Sequence, residues 1–147
     1  MTLSKGYNIF YADDDADDRD FFVDVLEEIN YGHSIYTQNS GDELIDQLRN
    51  PPPAANLVFL DLNMPLKNGY EVLAEIRSTS DLKDTPIIIL STSGDERSVQ
   101  KAKSLGASMF LTKPNNYDVF KKMIELVVTK DWEHYKPAEK DFHFTVN

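Results

Sequence analysis

The sequence predicts an α/β fold in which helices cover both faces of a parallel sheet. Three observations predict it. Five short apolar runs alternate with five stretches whose apolar residues recur at helical spacing, and such alternation builds a parallel sheet with right-handed crossovers. The runs Leu57–Leu60 and Ile87–Leu90 carry no alternating polar residue, as suits strands buried on both faces. The residues best equipped for chemistry follow directly on the ends of these runs, at the edge where open parallel sheets bind ligands.

Bulk properties narrow the function. A chain of 147 residues with 41% hydrophobic and 11% aromatic residues is one domain with a proper core. The formal charge of −10 argues against a nucleic-acid surface, which needs cations to replace phosphate counterions, and against anionic membranes. The absence of cysteine removes disulfides, thiol nucleophiles and thiolate zinc sites. No segment is long and apolar enough to span a bilayer. The start, MTLSKG, does not read as a signal peptide, so the expected location is cytoplasmic.

Each element has its own signal. Tyr7–Ala12 is the first strand, followed by the acidic burst Asp13–Asp20. Phe21, Phe22, Val25, Leu26 and Ile29 then share one helical stripe. Asp17 and Asp18 fall in the first turn, where the helix dipole favours negative charge; Asn30–Gly32 ends this helix. Ser34–Gln38 is a weaker strand, and Ser40–Gly41 a turn. Leu44, Ile45 and Leu48 mark the second helix, closed by Asn50 and a stiff linker of Pro51, Pro52 and Pro53. Leu57–Leu60 is the central strand, ended by Asp61, Pro65 and the turn pair Asn68-Gly69.

Val72, Leu73 and Ile76 mark the third helix, with a polar loop from Ser78 to Thr85. Ile87–Leu90 is the fourth strand. Glu96–Leu105 is a helix with a thin apolar face of Val99, Ala102 and Leu105, ended by Gly106. Met109–Leu111 is the fifth strand, and Phe120, Met123, Ile124, Val127 and Val128 form the last helical stripe. The domain therefore spans residues 7–129. Residues 130–147 form a tail with Trp132, Tyr135, Phe142 and Phe144, and nothing in it resembles an output domain.

Asp13 and Asp14 follow the first strand, Asp61 the third, Ser91 the fourth and Lys113 the fifth. Singly, each has a plain reading as a cap, a turn or a solvated surface residue. A parallel sheet brings them all to one edge. Converging carboxylates repel unless a cation joins them, and oxygen donors without histidine or cysteine suit Mg²⁺. A carboxylate can also accept a phosphoryl group as an acyl phosphate. A lysine and a hydroxyl beside it then meet the phosphoryl oxygens.

These residues and their spacing resemble the receiver domain of bacterial two-component response regulators over roughly Tyr7 to Val128. The resemblance implies a flavodoxin-like, doubly wound five-stranded sheet of order 2-1-3-4-5. It implies Asp61 as phosphoacceptor and Mg²⁺ held by Asp14, Asp61 and the Asn63 backbone carbonyl, with Asp13 helping through water. Ser91 and Lys113 would bind the phosphoryl group, Phe110 would be the switch aromatic, and the Lys113–Pro114 bond would be cis. Asn63 and Ser93 would flank the water that ends the acyl phosphate. The implied donor is a histidine kinase or histidine phosphotransfer protein, and output passes by contact with a downstream protein. The chain would act as a terminal regulator or as a phosphorelay intermediate, promoting only its own phosphorylation and dephosphorylation.

Other readings have discriminating features. A haloacid-dehalogenase-like phosphatase needs a second acid two residues past its nucleophile, where this chain has Asn63. A flavin mononucleotide binder needs a hydroxyl- and glycine-rich loop after the first strand, and this loop is acidic. A constitutive interaction module has no use for Asp61 and Lys113. His33, His134 and His143 read as scattered surface histidines. The aromatic tail either packs on the domain's own surface or extends a homodimer or partner contact.

Overall fold

The computed structural model describes residues 6–29, 32–51, 54–64 and 67–144. The helix end at Asn30, the linker prolines Pro52 and Pro53, and Pro65 lie outside them. Strands β1 (Asn8–Ala12), β2 (Ser34–Gln38), β3 (Leu57–Asp61), β4 (Ile87–Ser91) and β5 (Met109–Thr112) alternate with helices α1 (Ala16–Ile29), α2 (Gly41–Arg49), α3 (Gly69–Ser78), α4 (Glu96–Ser104) and α5 (Tyr117–Val128). A 3-10 turn at Glu139–Asp141 and a strand β6 (His143–Phe144) follow. The order is β2-β1-β3-β4-β5-β6, and every pair is parallel.

Six strands replace the five expected, because the tail adds one beyond β5. Two residues of mixed polarity carry no periodic signal of a strand. Tertiary pairing makes it one: the Phe110 N–H donates to the Phe142 carbonyl at 2.8 Å.

Strand alternation sorts the apolar residues into two cores. Phe10, Val58, Leu60, Ile87, Ile89 and Phe110 face α2, α3 and α4. Ile9, Tyr11, Phe59, Ile88, Leu90 and Leu111 face α1 and α5. Within α4 only Val99 and Ala102 are buried, so its attachment is as thin as its sequence suggests.

Caps start the helices where the chain must turn. Ser40 and Asn68 accept the N–H groups of Glu43 and Glu71, and the Glu71 carboxylate returns to the Asn68 N–H. Gly41 and Gly69, expected in turns, are instead the first helical residues. At Gly69 a Cβ would lie 2.8 Å from both the Asp61 carbonyl oxygen and the Leu62 Cα. Glycine there lets α3 start against the backbone of the central strand end. Gly106, at φ +100°, ends α4 in the left-handed region.

The tail rings pack on the domain itself. Trp132 joins the α1–α5 core and Phe142 the opposite one. Trp132 donates its indole N–H to the Val127 carbonyl at 2.8 Å and its backbone N–H to the Tyr7 hydroxyl at 3.0 Å. Lys103 on α4 pairs with Glu139 at 2.6 Å and lies over the Phe142 ring. Two of the histidines also prove structural. His33 stacks on Tyr7 and accepts its backbone N–H, and His143 bonds Thr112 at 2.8 Å and meets Phe110 edge to face. His134 is exposed and pairs with Asp131. No helix among the described residues is long and apolar enough to cross a membrane.

Truncation after Thr129 removes the Trp132 and Phe142 rings and is expected to lower unfolding stability by about 3 kcal/mol, read from urea denaturation. An unchanged urea midpoint would show that the tail lies on the surface without stabilising it.

Candidate functional site

Register places the functional residues side by side. Ala12 pairs with Leu60, Asp61 with Leu90 and Ser91 with Thr112, so Asp13, Asp61, Ser91 and Lys113 emerge at one edge. The backbone ties the loops there. The Asp13 N–H donates to the Gln38 carbonyl at 3.0 Å, and the Lys113 N–H to the Ser91 carbonyl at 2.7 Å. The second strand thus anchors Asp13 through a backbone carbonyl.

Asp13 is buried at 1% exposure, and Asp61 is nearly so at 7%; Asp14 is exposed. Carboxylate oxygens of the three lie within 4.8 Å of one another. Around Asp13 the chain supplies donors: the Asp15 N–H to Oδ1 at 3.0 Å and the Tyr11 hydroxyl to Oδ2. Arg19 caps the Asp13 carbonyl at 2.7 Å. The Lys113 ammonium stands 3.5 Å from Asp13 Oδ2, 3.6 Å from Asp18 Oδ2 and 3.7 Å from Asp61 Oδ1. Asn63 adds a backbone hydrogen bond to the Asp61 carboxylate.

The switch candidates are also in place. Ser91 is buried, and its hydroxyl accepts the Ser93 N–H at 3.1 Å. The Ser93 hydroxyl donates to Asp95, the N-cap of α4, at 2.8 Å. Phe110 is wholly buried in the α4 core. Beside the acids lies a cavity of about 440 Å³ lined by Tyr11, Asp18, Phe21, Lys113, Pro114 and Phe120.

Electrostatics follow from this packing. Burial, reinforced by the charge of Asp13, pushes the Asp61 carboxyl up to about 6, against the opposing pull of Lys113 and the Asn63 hydrogen bond. Burial works against the Lys113 charge, but Asp61, Asp13 and Asp18 outweigh it and raise its pKa. Burial first, then Asp13, drives the Tyr11 phenol far up, which keeps it a proton donor. Burial also raises Asp18, partly offset by Lys113.

Two residues of this site escaped sequence reasoning. Tyr11 reads as a core aromatic, although it lies two residues from Asp13 and so on the same strand face. Asp18 reads as a helix-dipole residue, in the first turn of α1 just after the acidic loop. The donor set fits a hard divalent cation: clustered carboxylate oxygens among the described residues, with no sulfur or imidazole in that cluster.

Asp61 has a stability cost that can be measured. An acid whose folded pKa exceeds its ordinary value of 3.8 contributes stability that is present below the unfolded pKa and lost as pH rises through the folded one. With chelator present, Asp61→Asn is expected to raise stability at neutral pH by about 2 kcal/mol, and the gain should vanish as pH falls towards about 4. Denaturant titrations across that range read it; an equal gain at every pH would assign it to packing.

Comparison with known proteins is consistent with the geometry. The response regulator receiver domain family matches residues 9–125. Response regulator Rcp1 of Synechocystis is 33% identical over 122 residues, 80% of this chain and 83% of that protein. A probable chemotaxis protein CheY of Rhizobium etli is 29% identical, over 86% of this chain and 96% of its own. The crystal structure of the Mn²⁺-bound form of Rcp1 superposes with a TM-score of 0.76 at 31% identity, covering 90% of this chain and 99% of that one. With most of its length matched and the acid cluster, serine and lysine on one sheet edge, the chain belongs to the response regulator receiver domain family.

Proposed function

We propose that this receiver accepts a phosphoryl group on Asp61 in a Mg²⁺-dependent reaction and signals through contact with a downstream protein. The observation that carries the reading is the Lys113 ammonium, 3.7 Å from the Asp61 carboxylate, at an edge where Asp13 and Asp14 converge. The donor is a phosphohistidine on a histidine kinase or histidine phosphotransfer protein. An Asp61 oxygen bonds to phosphorus as the phosphorus–nitrogen bond breaks. The electron pair leaves with the imidazole nitrogen, which takes a proton.

Asp14, Asp61 and the Asn63 carbonyl would hold the cation, with Asp13 acting through water. Mg²⁺ supplies charge neutralisation of the phosphoryl oxygens. Lys113 offers a second positive charge and the Ser91 hydroxyl a hydrogen bond. Asp13 stays oriented by Tyr11 and the Asp15 N–H. Asn63 and Ser93, small and uncharged, leave the path to the acyl phosphate open. The setting we assign is cytoplasmic. The tail rings Trp132 and Phe142 are packed on the receiver's own cores, and the face around α4 carries the output. Its thin attachment marks it as a low-stability element of the kind that moves in regulation.

Incubation with acetyl phosphate and Mg²⁺ is expected to give an acid-stable, base-labile adduct that Asp61→Asn and chelation each abolish. Equal labelling of the variant would sink the assignment. Binding of beryllofluoride is expected to change amide exchange from Ser91 to Phe110 as the Ser91 hydroxyl and Phe110 shift; unchanged protection there would remove the switch.

A further inference from the structure

Lys113 is shared more widely than the reaction requires. Its ammonium lies at nearly equal distances, 3.5, 3.6 and 3.7 Å, from Asp13, Asp18 and Asp61. Asp61 is the acceptor and Asp13 part of the cation cluster. Asp18 belongs to neither. It projects from the first turn of α1 and lines the cavity beside the site together with Lys113, Tyr11 and Pro114.

The three acids differ in their other support. Asp13 takes the Tyr11 hydroxyl and the Asp15 N–H, and Asp61 takes the Asn63 backbone hydrogen bond. The contact with Asp18 divides the ammonium between α1 and the strand ends where a phosphoryl group would sit. At these separations no single carboxylate holds the ammonium in a short charged hydrogen bond. An acyl phosphate on Asp61 carries more negative charge than the carboxylate it replaces, about one unit more, and Lys113 is the ammonium nearest to meet it.

We propose that Asp18 is a positioning residue: it takes a share of Lys113 in the resting protein and competes with the phosphoryl group for it. The proposal rests on Asp61 being the phosphoacceptor. Because Asp18 is half exposed at its side chain (50%), its pull is screened and the competition is modest. Asp18 thereby lowers the affinity of the site for a phosphoryl group without touching that group.

The test is a beryllofluoride titration of the full chain at saturating Mg²⁺, followed by calorimetry and by fluorine NMR of the bound species. Asp18→Asn is expected to tighten binding about two- to fivefold, the range of a partly exposed ion pair. Asp18→Ser, which also removes the charge, should do the same. Asp17→Asn removes the same charge from the same helical turn, where Asp17 has its backbone N–H on Asp15, and should change affinity far less. Melting temperatures separate a helix-stability effect, which would move them without moving affinity. Unchanged affinity in both Asp18 variants would overturn the proposal, and so would equal tightening by Asp17→Asn, which would make net charge the cause. If wild type and Asp61→Asn bind beryllofluoride alike, the acceptor assignment fails and the competition falls with it.

Discussion

The structure turns on a charge balance at the carboxyl edge of the sheet. Carboxylates that would repel one another are gathered around the Lys113 ammonium, and two of them, Asp13 and Asp61, have little access to water. Burial makes this balance both costly and useful. It raises the Asp61 carboxyl towards neutrality, so the site gains by taking up positive charge. The cluster of Asp13, Asp14 and Asp61 is one that a divalent cation could join. Perturbed acids at such a sheet edge make it a candidate functional site.

Holding that balance requires a rigid frame. Parallel pairing sets Asp61 and Ser91 at adjoining strand ends, Asp61 beside the buried Leu90 and Ser91 beside the half-buried Thr112. The surrounding loops are then tied by backbone hydrogen bonds, Asp13 to β2 and Lys113 to β4. Gly69 allows the next helix to begin against the Asp61 carbonyl itself. The two apolar cores stabilise what the acids destabilise. Of the five helices, α4 has the fewest buried side chains, two, and it starts from a cap, Asp95, that is bonded to Ser93. A change at Ser91 therefore has a short route into the helix with the thinnest buried face.

The C-terminal segment alters the far edge of the sheet. In a five-stranded sheet β5 would expose its outer backbone groups. Here β6 occupies them, with Phe142 and His143 placed against Phe110. Lys103 links α4 to the same segment through Glu139. Phe110 is thus enclosed by the chain's own tail, and the burial of Phe142 and Trp132 accounts for aromatics that a solvated tail would not carry.

The sequence by itself determined the order of elements, the two-sided burial of the central strands and the convergence of Asp13, Asp14, Asp61, Ser91 and Lys113. Each follows from local rules: apolar periodicity, turn residues, and the fact that parallel strands all end at one edge. Tertiary structure alone decided the rest. His143–Phe144 became a strand only because β5 offered an unpaired edge, and Gly41 and Gly69 began helices only because Ser40 and Asn68 capped them. Asp18 and Tyr11 entered the site because α1 and β1 carry them to Lys113 and Asp13. No periodicity encodes such a meeting. It depends on where separate elements pack, and a hydrogen bond or ion pair across them exists only once they have.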